Sequence, residues 1–279
     1  MWPVEAVEVG GVTIWRADAR ELARFVTPAV DLVVTSPPYN VGIGYAGHDD
    51  RMLPGDYRQL LVDAFGQCFE VMTPGGRICV NVPFGVGRNP WAPAMPVVYE
   101  ILGGLGFQIL GQIIWDKGSS GNSTAWGSWR RPDAPCLRDT CEAVVVARRP
   151  GVLVVPAEAM VRGPGGRLES PWLPAETFMT LTQDHWQIAP ESASAVGHPA
   201  PFPAKLVENL VRLYGWPGVH VLDPFAGSGT VGVAVAGLAG GDRCSVSLVE
   251  QSSQYCELAA RRVRRAQVEA GQGKFEFEG

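Results

Sequence analysis

Hydrophobic positions in this chain change repeatedly between the spacing of a strand and the spacing of a helix. Between residues 56 and 72, apolar side chains recur every three or four positions, and Pro74-Gly75-Gly76 ends the run, which predicts a helix. Short apolar runs predict buried strands at residues 12–15, 31–35, 77–82, 107–115 and 142–147. Because helices and strands alternate, the pattern indicates an α/β fold.

The final third of the chain repeats this alternation with short connections. It predicts a helix at 204–214, a strand at 219–222, a glycine-rich loop, a helix of small residues up to 239, a strand at 245–249 and a helix from 253 to about 268. This order is a βαβ unit, a common frame for nucleotide binding. The tail at 271–279 is expected to fray.

Only the middle of the chain departs from the pattern. Residues 151–190 are rich in Pro and Gly with isolated aromatic residues, which indicates an inserted surface segment with little core of its own. Trp172, His185 and Trp186 in and near it are candidates for DNA contact or for local core. We therefore expect a single domain over 1–279, with 151–190 as a small inserted segment.

Composition narrows the class of protein. The 279 residues are 46% hydrophobic and 18% charged, which suits one globular domain. No apolar run approaches the roughly 20 residues of a membrane span, and the start lacks a signal-peptide pattern, so a cytoplasmic protein is expected.

The six cysteines and four histidines show no metal-site spacing, which predicts reduced core cysteines and no metal. A net charge of -5 requires any nucleic-acid contact to use a local basic face.

The glycine-rich loop, Asp223-Pro224-Phe225-Ala226-Gly227-Ser228-Gly229-Thr230, lies between a predicted strand and a predicted helix. Its glycines let a ligand approach backbone N–H groups, and Glu250 at the end of the next strand could accept hydrogen bonds from ribose hydroxyls. The loop lacks the Lys-Ser/Thr ending of a phosphate-binding loop and begins with a carboxylate. It therefore favours a positively charged nucleotide-like cofactor, S-adenosyl-L-methionine, over a nicotinamide cofactor.

The second chemical motif is Thr35-Ser36-Pro37-Pro38-Tyr39, directly after a predicted strand. An exocyclic amine on a nucleobase is a poor nucleophile because its lone pair is delocalised into the ring. The Ser36 hydroxyl and the Pro37 carbonyl could accept the two amine hydrogens, while Pro38 stiffens the loop and Tyr39 offers a stacking face. The motif predicts a site that activates the amine of a flipped base.

Together, these motifs resemble those of the β-class DNA amino-methyltransferases, in which the catalytic motif precedes the cofactor motif. The resemblance covers nearly the whole chain, and it implies a single methyltransferase catalytic domain over 1–279 with 151–190 as a small inserted target-recognition segment. It implies a circularly permuted Rossmann-like S-adenosylmethionine-dependent methyltransferase fold with a mostly parallel seven-stranded sheet, in which residues 12–15 supply the third strand. It also implies that the segment containing His198, Phe202 and Lys205 closes over the methionine part of the cofactor, and that Asp18 meets the adenine.

The same resemblance places a loop near the flipped base, with candidate DNA-binding residues Trp129, Arg130, Arg131 and Arg138. The predicted catalytic residues are Ser36, Pro37, Pro38 and Tyr39. The predicted cofactor-binding residues are Asp18, Thr35, His198, Phe202, Lys205, Asp223, Phe225, Ala226, Gly227, Ser228, Gly229, Thr230 and Glu250.

The choice of base rests on Ser36, because a Ser at this position in the family usually accompanies cytosine N4 and an Asp or Asn usually accompanies adenine N6. We therefore expect N4 methylation of cytosine in double-stranded DNA. Two alternatives stay open: adenine N6 methylation, and a non-catalytic, cofactor-dependent DNA-binding protein. Cys136 resembles the nucleophile of cytosine C5 methylation, but the motif order is wrong for that reaction. A homodimer and a cognate restriction endonuclease are possible partners.

Overall fold

A computed structural model describes residues 4–27, 29–40, 44–45, 48–49, 51–86, 92–118, 127–191, 202–238 and 240–276. His198 and its neighbours at 192–201 lie outside these ranges. Nine strands form the main sheet: β1 (Glu5–Val9), β2 (Val12–Arg16), β3 (Val30–Thr35), β4 (Met72–Pro83), β5 (Gln108–Asp116), β6 (Cys141–Arg148), β7 (His185–Gln187), β8 (His220–Asp223) and β9 (Ser245–Glu250).

Within the described ranges, six α-helices accompany the sheet. They are α1 (Pro54–Val71), α2 (Met95–Gly104), α3 (Ala175–Leu181), α4 (Ala204–Tyr214), α5 (Thr230–Ala236) and α6 (Ser253–Glu276). Short 3₁₀ helices lie at Ala19–Arg24, Ala157–Ala159, Pro164–Gly166 and Gly241–Arg243, and two-residue strands pair at 44–45 with 48–49, 85–86 with 92–93, and 161–162 with 168–169. No helix in the described ranges is long and apolar enough to cross a membrane.

The order of strands across the sheet is β1-β2-β9-β8-β3-β4-β6-β5-β7. Only β1 and β6 run opposite to the other strands, so the sheet is mostly parallel. β2, from the N-terminal part of the chain, pairs in parallel with β9 from the C-terminal part. This pairing places residues 12–16 where the permuted fold requires its third strand, and the α/β methyltransferase fold is confirmed.

The count of seven strands was wrong, because one extra strand lies at each edge. The seven central strands correspond to the expected sheet. β1 joins one edge as a hairpin with β2, and the turn between them uses Gly10 at φ +58°. β7 joins the other edge through three residues paired with the end of β5. Both strands are short and mostly exposed, so their sequences carry little of the hydrophobic signal of a strand.

Two hydrophobic clusters cover the two faces of the sheet. Helices α4, α5 and α6 pack on one face, and α1, α2 and the 3₁₀ helix at Ala19–Arg24 pack on the other. Alternate residues of a strand enter different clusters: Val144 faces the first and Val145 the second. The buried central strands explain why their sequences read as continuous apolar runs.

Most of the predicted elements are present. The predicted helix at 204–214 has the bounds of α4, and the predicted helix at 56–72 is α1 shifted by one or two residues. β4 begins earlier than expected, at Met72, because its register with β3 shifts across a bulge that accommodates Pro74-Gly75-Gly76. α6 runs on to Glu276, beyond the predicted end near 268.

The segment at 151–190 is tied into the main core. Trp172, Leu181 and Trp186 are buried in the cluster that contains α4. The Nε1 atom of Trp186 donates to the carbonyl of Gln183 at 2.9 Å. Of the two roles considered for these tryptophans, the structure therefore supports the core role. The target-recognition role of the segment stays a prediction.

Candidate active site

Chemically active residues gather at one edge of the sheet. The parallel strands β3, β8 and β9 are neighbours, and their carboxyl ends carry Ser36, Asp223 and Glu250 respectively. The hydroxyl of Thr35 donates to the carboxylate of Asp223 at 2.7 Å, and both residues are fully buried. This bond joins two motifs that lie 188 residues apart in sequence. We call residues 223–230 the glycine loop and residues 36–39 the proline loop.

Asp223 is a buried carboxylate with an unused oxygen. Oδ1 accepts from Thr35 and from the N–H of Phe225 at 3.0 Å, whereas Oδ2 has no hydrogen-bond partner among the described residues. Burial, opposed by those hydrogen bonds, raises the pKa of Asp223 to about 7, and the charge of Glu250 adds to the rise. Because an unpaired buried carboxylate is costly, the site fits a ligand that brings an N–H donor or a positive charge.

The glycine loop is held by backbone contacts to the end of β9. The N–H of Ala226 donates to the carbonyl of Val249, and the N–H of Gly227 donates to Oε2 of Glu250 at 2.9 Å. Gly229 has φ +78°, and a Cβ atom there would lie 2.7 Å from the Cβ of Ala259 on α6. Glycine is therefore required at 229 both by backbone conformation and by close packing.

The hydroxyl groups of the glycine loop face the protein. Arg262 on α6 donates to the carbonyl and the hydroxyl of Ser228, each at 2.8 Å, and to the hydroxyl of Thr230 at 3.3 Å. Burial lowers the pKa of this guanidinium, and the charge of Glu191 opposes the shift. Arg262 thus supports the glycine loop from the side of α6. Because the hydroxyls of Ser228 and Thr230 are used in this way, these two residues would contact a cofactor through their backbone groups.

One carboxylate oxygen of Glu250 accepts a hydrogen bond from the glycine loop, and the other accepts one from the turn that follows Glu250. Oε1 accepts from the N–H of Ser252 at 2.8 Å. Burial raises the pKa of Glu250, and the hydrogen bonds from Ser252 and Gly227 oppose the rise. A carboxylate oxygen has two lone pairs, so each oxygen keeps acceptor capacity for a ligand hydroxyl.

Asp18 follows β2, the strand next to β9. The N–H of Ala17 donates to the carbonyl of Glu250, which brings the two strand ends together. The Asp18 carboxylate caps the 3₁₀ helix that follows it and binds the guanidinium of Arg20 at 2.6 Å. Burial acts to raise the pKa of Asp18, but the hydrogen bonds from Arg20 outweigh it and lower the pKa. Its contact with adenine stays a prediction.

The predicted methionine-side segment is described only in part. Phe202 is buried in the core cluster of α4, and Lys205 in the first turn of α4 pairs with Glu208 at 3.2 Å. Glu191, which the sequence did not suggest, accepts from the N–H of Ala204 at 2.7 Å and lies 3.9 Å from Arg262. Glu191 therefore connects the start of α4 to the support of the glycine loop. The cofactor roles of Phe202 and Lys205 stay predictions.

The proline loop presents acceptors at the end of β3. The carbonyl of Pro38 accepts from the hydroxyl of Tyr57 on α1 at 2.8 Å. Among the described residues, none donates a hydrogen bond to the carbonyl of Pro37. The side chain of Asn40 exchanges two hydrogen bonds with the backbone of Met52, which closes the base of the intervening loop. The loop is thus anchored while one carbonyl remains available.

A polar network that the sequence did not reveal lies behind Ser36. The hydroxyls of Ser36 and Tyr39 are 2.8 Å apart, and the Tyr39 hydroxyl donates to Glu142 at 2.9 Å. Asn81 donates to Glu142 at 2.7 Å, and Lys117 pairs with the other oxygen of Glu142 at 2.6 Å. Each of these polar residues lies at or near the end of a predicted strand. That position was the available signal, but the partners come from strands far apart in sequence.

The predicted DNA-binding loop begins and ends at this network. The N–H of Lys117 donates to the carbonyl of Thr140 at 2.9 Å, so the two ends of the loop meet beside Glu142. Arg130, Arg131 and Arg138 are exposed, as are Trp129 (64%) and Leu137 (94%). Cys136 in the same loop is a half-buried free thiol. Exposed cations beside an exposed aromatic ring are suited to contact with a nucleic acid.

Comparison with known proteins identifies one family. The family model N6_N4_Mtase, described as DNA methylase, matches residues 30–261. The Type II methyltransferase M.MjaVI of Methanocaldococcus jannaschii is 30% identical over 139 residues, which are 50% of this chain and 71% of that protein. The DNA adenine methyltransferase YhdJ of Escherichia coli is 24% identical over 267 residues, 90% of this chain and 82% of that protein.

A solved structure extends the likeness to the fold. TTHA0409 of Thermus thermophilus, a putative DNA modification methylase complexed with S-adenosyl-L-methionine, superposes with a TM-score of 0.66 and 28% identity. The match covers 90% of this chain and 94% of that one. Similarity therefore spans both the glycine loop and the proline loop.

Proposed function

The chain belongs to the N6/N4 DNA methylase family, whose cofactor is S-adenosyl-L-methionine, and we propose that it methylates the exocyclic N4 amine of a cytosine in double-stranded DNA. The observation that carries the proposal is the hydrogen bond between Thr35 and Asp223, because it holds the proline loop and the glycine loop at adjacent strand ends. A base activated at Ser36 and a cofactor bound at the glycine loop would then share one site.

The residues of the glycine loop fit this cofactor. The unpaired oxygen of Asp223 is a buried acceptor that suits a cationic ligand, and Glu250 suits ribose hydroxyls. The backbone of residues 225–230 would contact the cofactor between these two carboxylates. When bound, S-adenosyl-L-methionine supplies an activated methyl group.

The proline loop would activate the amine. The target base must leave the helical stack to reach a site at a strand end. The Ser36 hydroxyl and the Pro37 carbonyl would accept its two amine hydrogens, which favours a more tetrahedral nitrogen with an available lone pair. The ring of Tyr39, whose hydroxyl is fixed by Glu142, would stack on the base.

DNA would approach from the side of the exposed loop at 127–140. Arg130, Arg131 and Arg138 would contact phosphates and position the duplex, and Trp129 would contact the distorted region around the extruded base. A local face of this kind is compatible with the net charge of -5.

Adenine N6 methylation is the second candidate. It is supported by the likeness to YhdJ, a DNA adenine methyltransferase. Cytosine is favoured by Ser36, the residue type that the β-class resemblance associates with N4. Both bases present an amine beside a ring nitrogen, so the acceptors of the proline loop serve either one.

Isotope transfer tests the proposal. The protein is incubated with DNA of mixed sequence and S-adenosyl-L-methionine labelled in its methyl group, and the nucleosides are separated by mass spectrometry. We expect the label in N4-methylcytosine. Label in N6-methyladenine would select the second candidate, and unlabelled DNA would overturn both. The partner endonuclease and a dimer remain proposals that this experiment does not address.

A further inference from the structure

Ser36 stands at the end of a chain of hydrogen bonds that leads to a part-buried ion pair. From the site inwards, the chain runs through the hydroxyl of Tyr39 to the carboxylate of Glu142 and then to the ammonium of Lys117. Asn81 lies alongside and donates to both Tyr39 (3.0 Å) and Glu142 (2.7 Å). Glu142 is 8% exposed and Asn81 is 1% exposed.

The topology of the sheet places these groups together. β3, β4 and β5 are parallel in direction, and their carboxyl ends carry Ser36, Asn81 and Lys117. β6 runs antiparallel to its two neighbours, β4 and β5, so its first residues lie at the same edge. Glu142 therefore meets the other groups from the opposite chain direction.

The carboxylate fixes which atoms donate. Glu142 accepts hydrogen bonds and donates none while it is ionised, and Lys117 at 2.6 Å stabilises that ionised form. Lys117 is itself held over the ring of Trp115, 5.3 Å from its centroid. The single proton of Tyr39 is directed to Glu142, and the two amide hydrogens of Asn81 are directed to Glu142 and Tyr39.

The Ser36 hydroxyl must then donate to Tyr39. The Tyr39 oxygen has given its proton to Glu142 and can only accept from Ser36, 2.8 Å away. The amide nitrogen of Asn81 makes a long contact with Oγ of Ser36 at 3.5 Å. Once the Ser36 proton is used in this way, the other lone pair of Oγ remains for a donor from outside the chain. An amine hydrogen is such a donor. A hydroxyl rotated the other way would present its proton to the amine and oppose the reaction.

Stability alone is a poor explanation for the ion pair. Two charges removed from water recover little net free energy, and well-packed apolar residues often serve as well or better. A carboxylate at this point instead has a directional effect, because it determines the orientation of every donor between itself and the site.

We infer that Glu142, together with Lys117 and Asn81, is a positioning group that orients the Ser36 hydroxyl as an acceptor for the substrate amine. This inference rests on the proposed role of Ser36, and it holds equally for cytosine N4 and adenine N6. It assigns these three residues no contact with substrate or cofactor.

The variant Glu142→Gln tests the direction of the bonds. The Gln carbonyl would turn to the Lys117 ammonium, and its NH₂ group would then face Tyr39. The Tyr39 proton would turn to Ser36 and occupy its lone pair. We expect a fall of about 30-fold in the single-turnover rate of methyl transfer, with the cofactor dissociation constant changed by less than about twofold.

A double-mutant cycle separates positioning from general damage. If Glu142 acts through Ser36, Glu142→Gln should lower the rate by less than about threefold in a Ser36→Ala background. A loss of the full 30-fold in that background would overturn the inference, as would a wild-type rate for Glu142→Gln alone. Tyr39→Phe provides a second background, because it breaks the same chain; there too, Glu142→Gln should have little further effect.

The matched control is Glu100→Gln. Glu100 forms an exposed ion pair with Arg58 at 3.1 Å, remote from the network in the structure, and its loss should leave the rate unchanged. If Glu142→Gln does not fold, Lys117→Met tests the same inference, since it leaves Tyr39 intact and removes the cation that pairs with Glu142. A wild-type protein that transfers no label to DNA would refute the proposed function. If the protein is active and the rate losses of Glu142→Gln and Ser36→Ala multiply in the double variant, only the positioning role is refuted.

Discussion

The glycine loop and the proline loop lie on adjacent strand ends, yet they are built in different ways. The glycine loop shapes its ligand site with backbone N–H groups and two carboxylates, and the unpaired oxygen of Asp223 has no cation beside it among the described residues. The proline loop is supported by side chains at the ends of three other strands, β4, β5 and β6, and its carboxylate, Glu142, is paired with Lys117. The first site is prepared for a charged ligand and the second for a neutral amine.

This difference predicts separable defects. Changes at the glycine loop should act on cofactor affinity, because an incoming ligand would supply a hydrogen-bond partner to the unpaired oxygen of Asp223. Changes at the proline loop should act on the rate of transfer, because its hydroxyls and its carboxylate are already hydrogen-bonded within the protein and orient acceptors for the amine.

Removal of the Ser36 hydroxyl should have the largest effect. Ser36→Ala deletes one of two acceptors for the amine, and we expect the single-turnover rate to fall by roughly 100-fold. Rapid-quench measurement with labelled cofactor at saturating concentration reports this rate. Ser245→Ala, at the exposed start of β9, is the control and should retain the wild-type rate. An unchanged rate for Ser36→Ala would show that the hydroxyl takes no part.

Removal of the buried carboxylate should act on binding instead. Asp223→Ala deletes the acceptor that suits a cationic ligand, and truncating one partner of a buried charged contact costs about 2–5 kcal/mol. We expect cofactor affinity measured by calorimetry to fall by at least about 30-fold. The control is Asp63→Ala on α1, whose carboxylate bonds to Gln59. Equal affinities for Asp223→Ala and the wild type would exclude the assigned role.

The shape of the glycine loop gives a stability prediction. Gly229→Ala forces a side chain into a left-handed conformation and against Ala259, so the free energy of unfolding should fall by about 2 kcal/mol. Gly103→Ala in α2 is the matched control, because a Cβ atom there would meet nothing within 4 Å. In a helix, that change should stabilise by about 0.5–1 kcal/mol. Urea unfolding of both cofactor-free variants tests the contrast.

The pH dependence of cofactor affinity should be smaller. The pKa of Asp223 is raised to about 7, so the carboxyl is protonated in the cofactor-free protein below that pH. If the ionised form binds the cofactor, affinity should fall by about fivefold between pH 7 and pH 6 and level off above pH 8. Asp223→Asn should remove this slope, although Glu250, whose pKa burial also raises, leaves a weaker one.

The raised pKa of Asp223 makes the stability of the cofactor-free protein depend on pH in the opposite direction to its cofactor affinity. Asp223 has an ordinary pKa of 3.8 and a folded-state pKa of about 7, so the folded state binds its proton more tightly. The contribution of this group to stability is therefore greatest at low pH and is lost as pH rises from about 4 to about 7. A rise in stability over that window in the wild type, absent from Asp223→Asn, would contradict the assignment.

Sequence alone predicted the fold and the glycine loop better than the support of the proline loop. The βαβ unit from 204 to 268 is local in sequence, so its strands, glycines and Glu250 can be recognised together. The network of Asn81, Lys117 and Glu142 depends on strand order and on the antiparallel direction of β6. Neither property follows from hydrophobic periodicity, which gives strands but not their neighbours. Arg262 and Glu191 were missed for the same reason, since helix packing brings them to the loop.

Isolated aromatic residues show a second limit of prediction from sequence. Trp172 and Trp186 stood in a segment rich in Pro and Gly, where a contact with DNA and a place in the core were equally plausible. Both are buried, because β7 and α3 pack this segment against α4 and the edge of the sheet. Burial of an isolated aromatic residue depends on what packs over it, which the local sequence does not specify.

The most direct test of the separation between the two loops is cofactor binding by the Ser36→Ala protein, measured by calorimetry beside the wild type and Asp223→Ala. We predict that Ser36→Ala binds S-adenosyl-L-methionine within about twofold of the wild-type affinity, because its hydroxyl serves the base and leaves the Thr35–Asp223 contact intact. A loss of affinity as large as that of Asp223→Ala would contradict the account.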